Sequence, residues 1–251
     1  MIDILARALL FPLLYAQAQG VRADVVTLHE PPGPRGGREG RGRDELRLLV
    51  VGDSSAAGVG AHHQDEALAR PLARQLARRL GRPVRWTLLA QTGLTSEATL
   101  AFLKDQEVPR ADVAVVVVGV NDITNQVPVA QALKYRGEIA IWLEAHAGVA
   151  EVLFPALPEM ERFPSLPQPL AWWAGQMSQR NNRAQARWAG DWPLAQPRVA
   201  HVPMDGLLGS DLMAADGFHP GPGLYARVAG HLAEVIERDV AARQELTEER
   251  K

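Results

Sequence analysis

From residue 46 onward, short runs of aliphatic and β-branched residues alternate with longer stretches whose apolar positions recur every three to four residues. Five of the short runs read as strands: 46–51 (LRLLVV), 84–90 (VRWTLLA), 111–118 (ADVAVVVV), 149–154 and 199–202. Between and after them, residues 67–80, 95–106, 128–147, 169–188 and 223–243 carry the helical period. In the first of these helices, Leu68, Leu72, Leu76 and Leu80 form one apolar stripe with arginines between them, and Gly81-Arg82-Pro83 ends it. In the last, Leu224, Val228, Leu232 and Val235 share a face. The third strand has no polar alternation, so both of its faces must be covered, as in the centre of a parallel sheet. Regular strand–helix alternation predicts right-handed crossovers and a three-layer α/β/α sandwich around a mostly parallel five-stranded sheet. Neither an internal repeat nor a second domain is visible.

The first 45 residues break this pattern. Residues 4–15 form an apolar run interrupted by Arg7 and Pro12, shorter than the roughly 20 residues a membrane-spanning helix needs. Ala16-Gln17-Ala18 has the form of a signal-peptide cleavage site, but Asp3 offsets the positive charge expected ahead of such a core. The segment is therefore read as a helix docked on the domain or lying at a membrane surface, with peripheral membrane contact through residues 1–20. That reading favours a cytoplasmic or membrane-associated protein over an exported one. Residues 31–44 (PPGPRGGREGRGRD) have little to bury and read as a solvated, flexible linker. The division expected is an apolar segment plus linker over 1–45 and a catalytic domain over 46–251.

Composition narrows the chemistry. Of the 251 residues 47% are hydrophobic, which excludes disorder over most of the length. Lys plus Arg is 27 against 29 for Asp plus Glu, so no overall field draws the chain to nucleic acid. Cysteine is absent, which removes disulfides, thiolate metal sites and a cysteine nucleophile. A covalent nucleophile must use oxygen or nitrogen.

In a parallel sheet the reactive crevice lies at the carboxyl ends of the strands. Gly52-Asp53-Ser54-Ser55 follows the first strand, Gln91-Thr92-Gly93 the second and Gly119-Val120-Asn121-Asp122 the third, while Asp216-Gly217-Phe218-His219 precedes the last helix. Each alone is an ordinary β–α corner. Together they bring a hydroxyl, hydrogen-bond donors and a base to one edge of the sheet.

These four blocks, in this order from residue 46 to about 242, resemble those of the SGNH, or GDSL-type, serine hydrolases, with Ser55 standing where the family's motif has leucine. The resemblance implies a flavodoxin-like sheet order, an esterase or lipase activity without cofactor or metal, and a small-molecule ester as partner. It implies Ser54 as nucleophile, His219 as general base and Asp216 as the carboxylate that orients the imidazole, for the reason that a neutral hydroxyl attacks only as a base takes its proton. It also implies an oxyanion hole from the backbone N–H of Ser54 and Gly93 and the side-chain amide of Asn121. Asp53 and Asp122 are read as structural, tying turns through backbone hydrogen bonds.

Other residues carry less. His62 and His63 are read as surface histidines with no carboxylate spaced to support them, and His146 in HEAHAG lacks the spacing of a zinc-binding helix. Trp172, Trp173, Trp188 and Trp192 suit helix packing better than an aromatic wall for an acyl chain. The helix arginines read as solvated faces. Acetyl-sugar esterase, thioesterase and lysophospholipase activities are alternatives within the fold. An α/β-hydrolase fits less well, because its serine follows a later strand. An inactive lipid- or carbohydrate-binding module is the alternative of another class.

Overall fold

The computed structural model describes residues 2–24, 27–193 and 197–248; the side chains of residues 1–9, including Arg7 of the apolar run, lie outside what is described. In chain order the elements are α1 (Ile2–Asp24), β1 (Gly36–Glu39), β2 (Leu46–Gly52), α2 (Ser54–Ala57), α3 (Ala69–Leu80), β3 (Val84–Ala90), α4 (Ser96–Lys104), β4 (Val113–Val117), α5 (Val120–Thr124), α6 (Val129–Ala147), β5 (Glu151–Pro155), α7 (Leu170–Gly190), β6 (Arg198–Val202) and α8 (Pro222–Glu248). The strands lie in the order β1-β3-β2-β4-β5-β6. All pairings are parallel except β1 with β3. Without β1 this is the 2-1-3-4-5 order of flavodoxin-like folds, whose ligand crevice lies where the chain reverses direction across the sheet.

The sheet has six strands, one more than the five the periodicity predicts. The extra strand comes from the stretch read as a linker. Gly36–Glu39 pairs antiparallel with β3 from Gly36 opposite Thr87 to Glu39 opposite Val84. Its pairing rests on the backbone, so a Gly- and Arg-rich tetrapeptide with no apolar side chain can still form it. Arginines that looked solvated tie it down: Arg38 donates to Glu45 (2.7 Å) and to the carbonyl of Gly42 (2.7 Å), and Arg70 on α3 donates to Glu39 (2.7 Å).

Alternate residues of the central strands feed two cores, as a covered parallel sheet requires. Leu48, Val50, Val113 and Val115 pack with Leu72 and Leu76 of α3 and with Leu232 and Ile236 of α8. Leu49, Val51, Ala114 and Val116 pack on the other face with Leu100 and Leu103 of α4 and Ile139 and Leu143 of α6. Trp188 and Trp192 belong to this second core, edge-on to each other and, for Trp188, to Phe154. Gly81, in the left-handed conformation (φ 63°), ends α3 where expected, and the Thr95 side chain caps α4 by accepting from the Ala98 N–H. No described helix is long and apolar enough to cross a membrane. Helix α1 is held through Gln17, in its second half, which donates to the Gln168 carbonyl (2.7 Å) and accepts from the Leu170 N–H (3.1 Å).

Candidate active site

The Gly-Asp-Ser turn after β2 begins with a glycine the fold demands. Gly52 sits at φ 154°, and a Cβ there would lie 2.0 Å from the Val117 carbonyl oxygen of β4, the same oxygen that accepts from the Asp53 N–H. The chain then turns directly into α2, with the Asp53 carboxylate capping it by accepting from the Ser55 N–H (3.0 Å). Ser54 is thereby presented at the carboxyl end of β2, with 8% of its surface exposed.

The second half of the array is a short loop folded on one carboxylate. Asp216 Oδ1 accepts from the backbone N–H of Phe218 (3.0 Å) and of His219 (2.9 Å), an Asx-type turn closed by Gly217 at φ 63°. That turn points the imidazole: Nδ1 lies 2.5 Å from Asp216 Oδ2 and Nε2 lies 2.9 Å from Ser54 Oγ. A carboxylate only accepts, so Nδ1 carries the ring proton and Nε2 is left to accept from the serine hydroxyl. Burial opposes ionisation of Asp216. The hydrogen bonds from His219 and from the two backbone N–H groups outweigh it and hold the carboxyl below its ordinary range. The histidine faces Ser54, while the next residue, Ser55, lines a cavity of about 330 Å³ walled in part by Leu157, Leu208, Leu224 and Val228.

Ser54, Gly93 and Asn121 all stand at this edge of the sheet. Among the described residues nothing accepts from the backbone N–H of Ser54 or of Gly93, and Gly93 is in the left-handed region at φ 87° with open space around it. The Asn121 amide is engaged: Nδ2 donates to the Leu94 carbonyl (3.1 Å) and, at 3.4 Å, toward Asp53 Oδ2. Asn121 thus braces the segment carrying Gly93 as well as standing beside it. Burial pushes the Asp53 carboxyl up to about 7, against the lowering effect of the Ser55 N–H.

Beneath the site lies a buried polar network that sequence reasoning missed. Asp122 accepts from the Ser96 N–H (2.9 Å) and Oγ (2.6 Å) and pairs with Arg136 of α6 (3.1 Å), both side chains being essentially inaccessible. Arg136 also donates to Ser96 Oγ (3.2 Å) and to Oε1 of the Gln185 side-chain amide, whose Nε2 donates to the Phe154 carbonyl (3.0 Å). Arg136 therefore overturns the reading of the helix arginines as solvated. Burial lowers its pKa and Asp122 opposes that loss. Gly119 is required here too: a Cβ on it would fall 2.5 Å from the Arg136 guanidinium. A lone arginine in a helical run carries no local sign of burial, so only the Asp of the GVND block hinted at a partner. His63 departs from expectation in having a carboxylate neighbour, with Nδ1 3.4 Å from Asp65, but both are exposed by more than two fifths. His146 stacks on Trp142.

A three-layer α/β domain with an Asp–His–Ser chain of hydrogen bonds at the carboxyl edge of its sheet defines a class of hydrolase-like folds. Within it the chain belongs to the GDSL-like lipase/acylhydrolase family, whose sequence model matches residues 50–227. It is 28% identical over 190 residues to a GDSL-like esterase of Mycobacterium tuberculosis, a match covering 74% of this chain and 60% of that protein. The crystal structure of TesA shares 25% identity and superposes with a TM-score of 0.56, over 74% of this chain and 96% of that one. A carbohydrate esterase family 3 structure from Talaromyces cellulolyticus shares the fold at 13% identity and a TM-score of 0.59, covering 78% of this chain and 99% of its own.

Proposed function

We propose that the protein is a carboxylic ester hydrolase that works through an acyl-enzyme on Ser54. The observation that carries this reading is the continuous run of hydrogen bonds from Asp216 through His219 to Ser54. Ser54 Oγ attacks the ester carbonyl carbon as His219 Nε2 takes its proton, and Asp216 stabilises the resulting imidazolium. The carbonyl oxygen, now negative, is held by the N–H groups of Ser54 and Gly93, and the Asn121 amide joins them through the N–H that otherwise reaches toward Asp53 at 3.4 Å. Collapse of the tetrahedral intermediate breaks the bond to the alcohol, which leaves with the proton from His219. Water then repeats the sequence on the acyl-enzyme and releases the acid. The apolar cavity beside Ser55 and the open surroundings of Gly93 suit lipid-like or short aliphatic acyl esters.

Ser54→Ala should lower turnover of p-nitrophenyl butyrate by at least about 10³-fold without shifting the thermal transition, since no neighbouring group replaces a lost nucleophile. A fluorophosphonate should label the parent protein at Ser54. Undiminished hydrolysis by Ser54→Ala, or loss of hydrolysis only in Ser55→Ala, overturns the assignment.

A further inference from the structure

Glu30 and residues 31–35, the latter the start of the stretch expected to be slack, are fastened to both segments that carry the free backbone donors. Glu30 Oε1 accepts from the Thr92 N–H (2.7 Å) and from the Thr92 hydroxyl (2.8 Å). Its other oxygen is held by Arg35 (2.8 Å), and Arg35 also donates to the Ala90 carbonyl. On the other side, the Pro32 carbonyl accepts from the Gln64 N–H (2.9 Å), and the buried Gln64 amide donates to Pro31 (3.3 Å) and to Ala57 at the end of α2 (2.8 Å).

The consequence for Gly93 is specific. Ala90 offers its carbonyl to Arg35, the Gln91 N–H donates to the Gly52 carbonyl (3.1 Å), and the Thr92 N–H is taken by Glu30. Beyond Gly93, the Leu94 carbonyl is held by Asn121. Every residue from 90 to 94 except Gly93 is tied by a backbone group. Glycine's own freedom would otherwise let the 92–93 peptide rotate.

We infer that Glu30 is a positioning residue: with Arg35 it sets the orientation of the Gly93 N–H toward the oxyanion that forms on the Ser54 adduct. This rests on the ester-hydrolase reading above. Glu30 touches neither substrate nor reacting atoms and acts through Thr92. The ion pair with Arg35 is partly exposed and contributes little energy by itself. Its effect lies in direction, because an oxyanion donor counts only when aimed where the charge develops.

The test is steady-state hydrolysis of p-nitrophenyl butyrate with the full-length protein, each rate divided by active sites titrated with a fluorophosphonate. Glu30→Ala should lower kcat per titrated site by about tenfold or more, short of the 10²–10³ of losing a donor outright, with KM changed less than about twofold. The inhibition constant of benzeneboronic acid, whose serine adduct is a tetrahedral anion, should rise in the same proportion. Glu30→Gln keeps an acceptor for Thr92 and should restore most of the rate. Thr92→Val, which removes one of the two bonds and covers the case of a Glu30→Ala protein that fails to fold, should lower kcat by about threefold, as part of one donor's contribution. Unchanged kcat per site in Glu30→Ala, or in Thr92→Val where Glu30→Ala does not fold, overturns the inference, as does an unchanged boronate constant. Failure of the esterase reading itself looks different: the parent protein would then show no Ser54-dependent turnover and no labelling.

Discussion

Asp53 shows how much of the site's character is set at single residues. It is adjacent to Ser54, 2% exposed, and does three things with one carboxylate: it caps α2, lies beside the Asn121 amide and borders the Asp122–Arg136 pair. Burial raises its pKa from 3.8 to about 7. The folded state therefore binds a proton that the unfolded chain releases above about pH 4. The stability this group contributes is complete below its unfolded pKa and is lost as pH rises through about 7. Asparagine cannot ionise, so Asp53→Asn should remove that slope. In urea unfolding the parent should lose stability relative to Asp53→Asn on going from about pH 5 to about pH 8, and a pH-independent difference would contradict it. Glu151, also pushed up to about 7 chiefly by burial, is common to both proteins and cancels. The residue types of the site were legible in the four blocks, including the glycines, because a turn that must bring backbone to backbone leaves few alternatives. The proton state of Asp53 was not legible, since it depends on what the fold stacks around it.

At the level of elements, the corner after β4 is held by α4 and α6 together. Asp122 at the start of α5, Ser96 at the start of α4 and Arg136 in the middle of α6 meet in one network, so three helices set the position of the Asn121 loop. Removing Arg136 would leave a buried carboxylate without its partner, which typically costs about 3–5 kcal/mol. Arg136→Met should therefore lower the denaturant midpoint sharply, and the loss should be smaller in the double variant Arg136→Met/Asp122→Asn, which buries no unpaired charge. Equal losses in the two would mean that the charge pair is not what holds the corner. The helices themselves were read from periodicity to within a few residues, since an apolar stripe is a local property of the chain. The strand β1 was invisible to the same reading. Its four residues GGRE have no apolar face, and they become a strand only because β3 offers an unpaired edge.

For the whole molecule this divides the N-terminal region in two. Helix α1 touches the body through Gln17 and the buried Leu14, whereas residues 30–39 complete the sheet edge and grip the Thr92 loop. Deletion of residues 2–24 should leave kcat per titrated site within about twofold of the parent, because no oxyanion donor moves, while deletion of 2–40 should lower it by about tenfold or more. The longer deletion should also promote aggregation through the bared edge of β3, measurable by light scattering. Comparable activity in the two deletions would place the functional boundary elsewhere. The chain pattern places an apolar segment plus linker over 1–45 and the catalytic domain over 46–251, whereas the sheet itself begins at Gly36, inside the stretch read as a linker. What the sequence alone determined was everything local: the alternation of strands and helices, the turns that need glycine, and the hydroxyl, imidazole and carboxylates at the strand ends. What only the tertiary structure decided was which distant groups meet. Glu30 and Thr92 lie 62 residues apart, and Arg136 and Gln185 lie 49 apart. Their partnership leaves no periodic trace in the chain, because a hydrogen bond between polar side chains is specified by geometry that exists only after the cores on both faces of the sheet have formed.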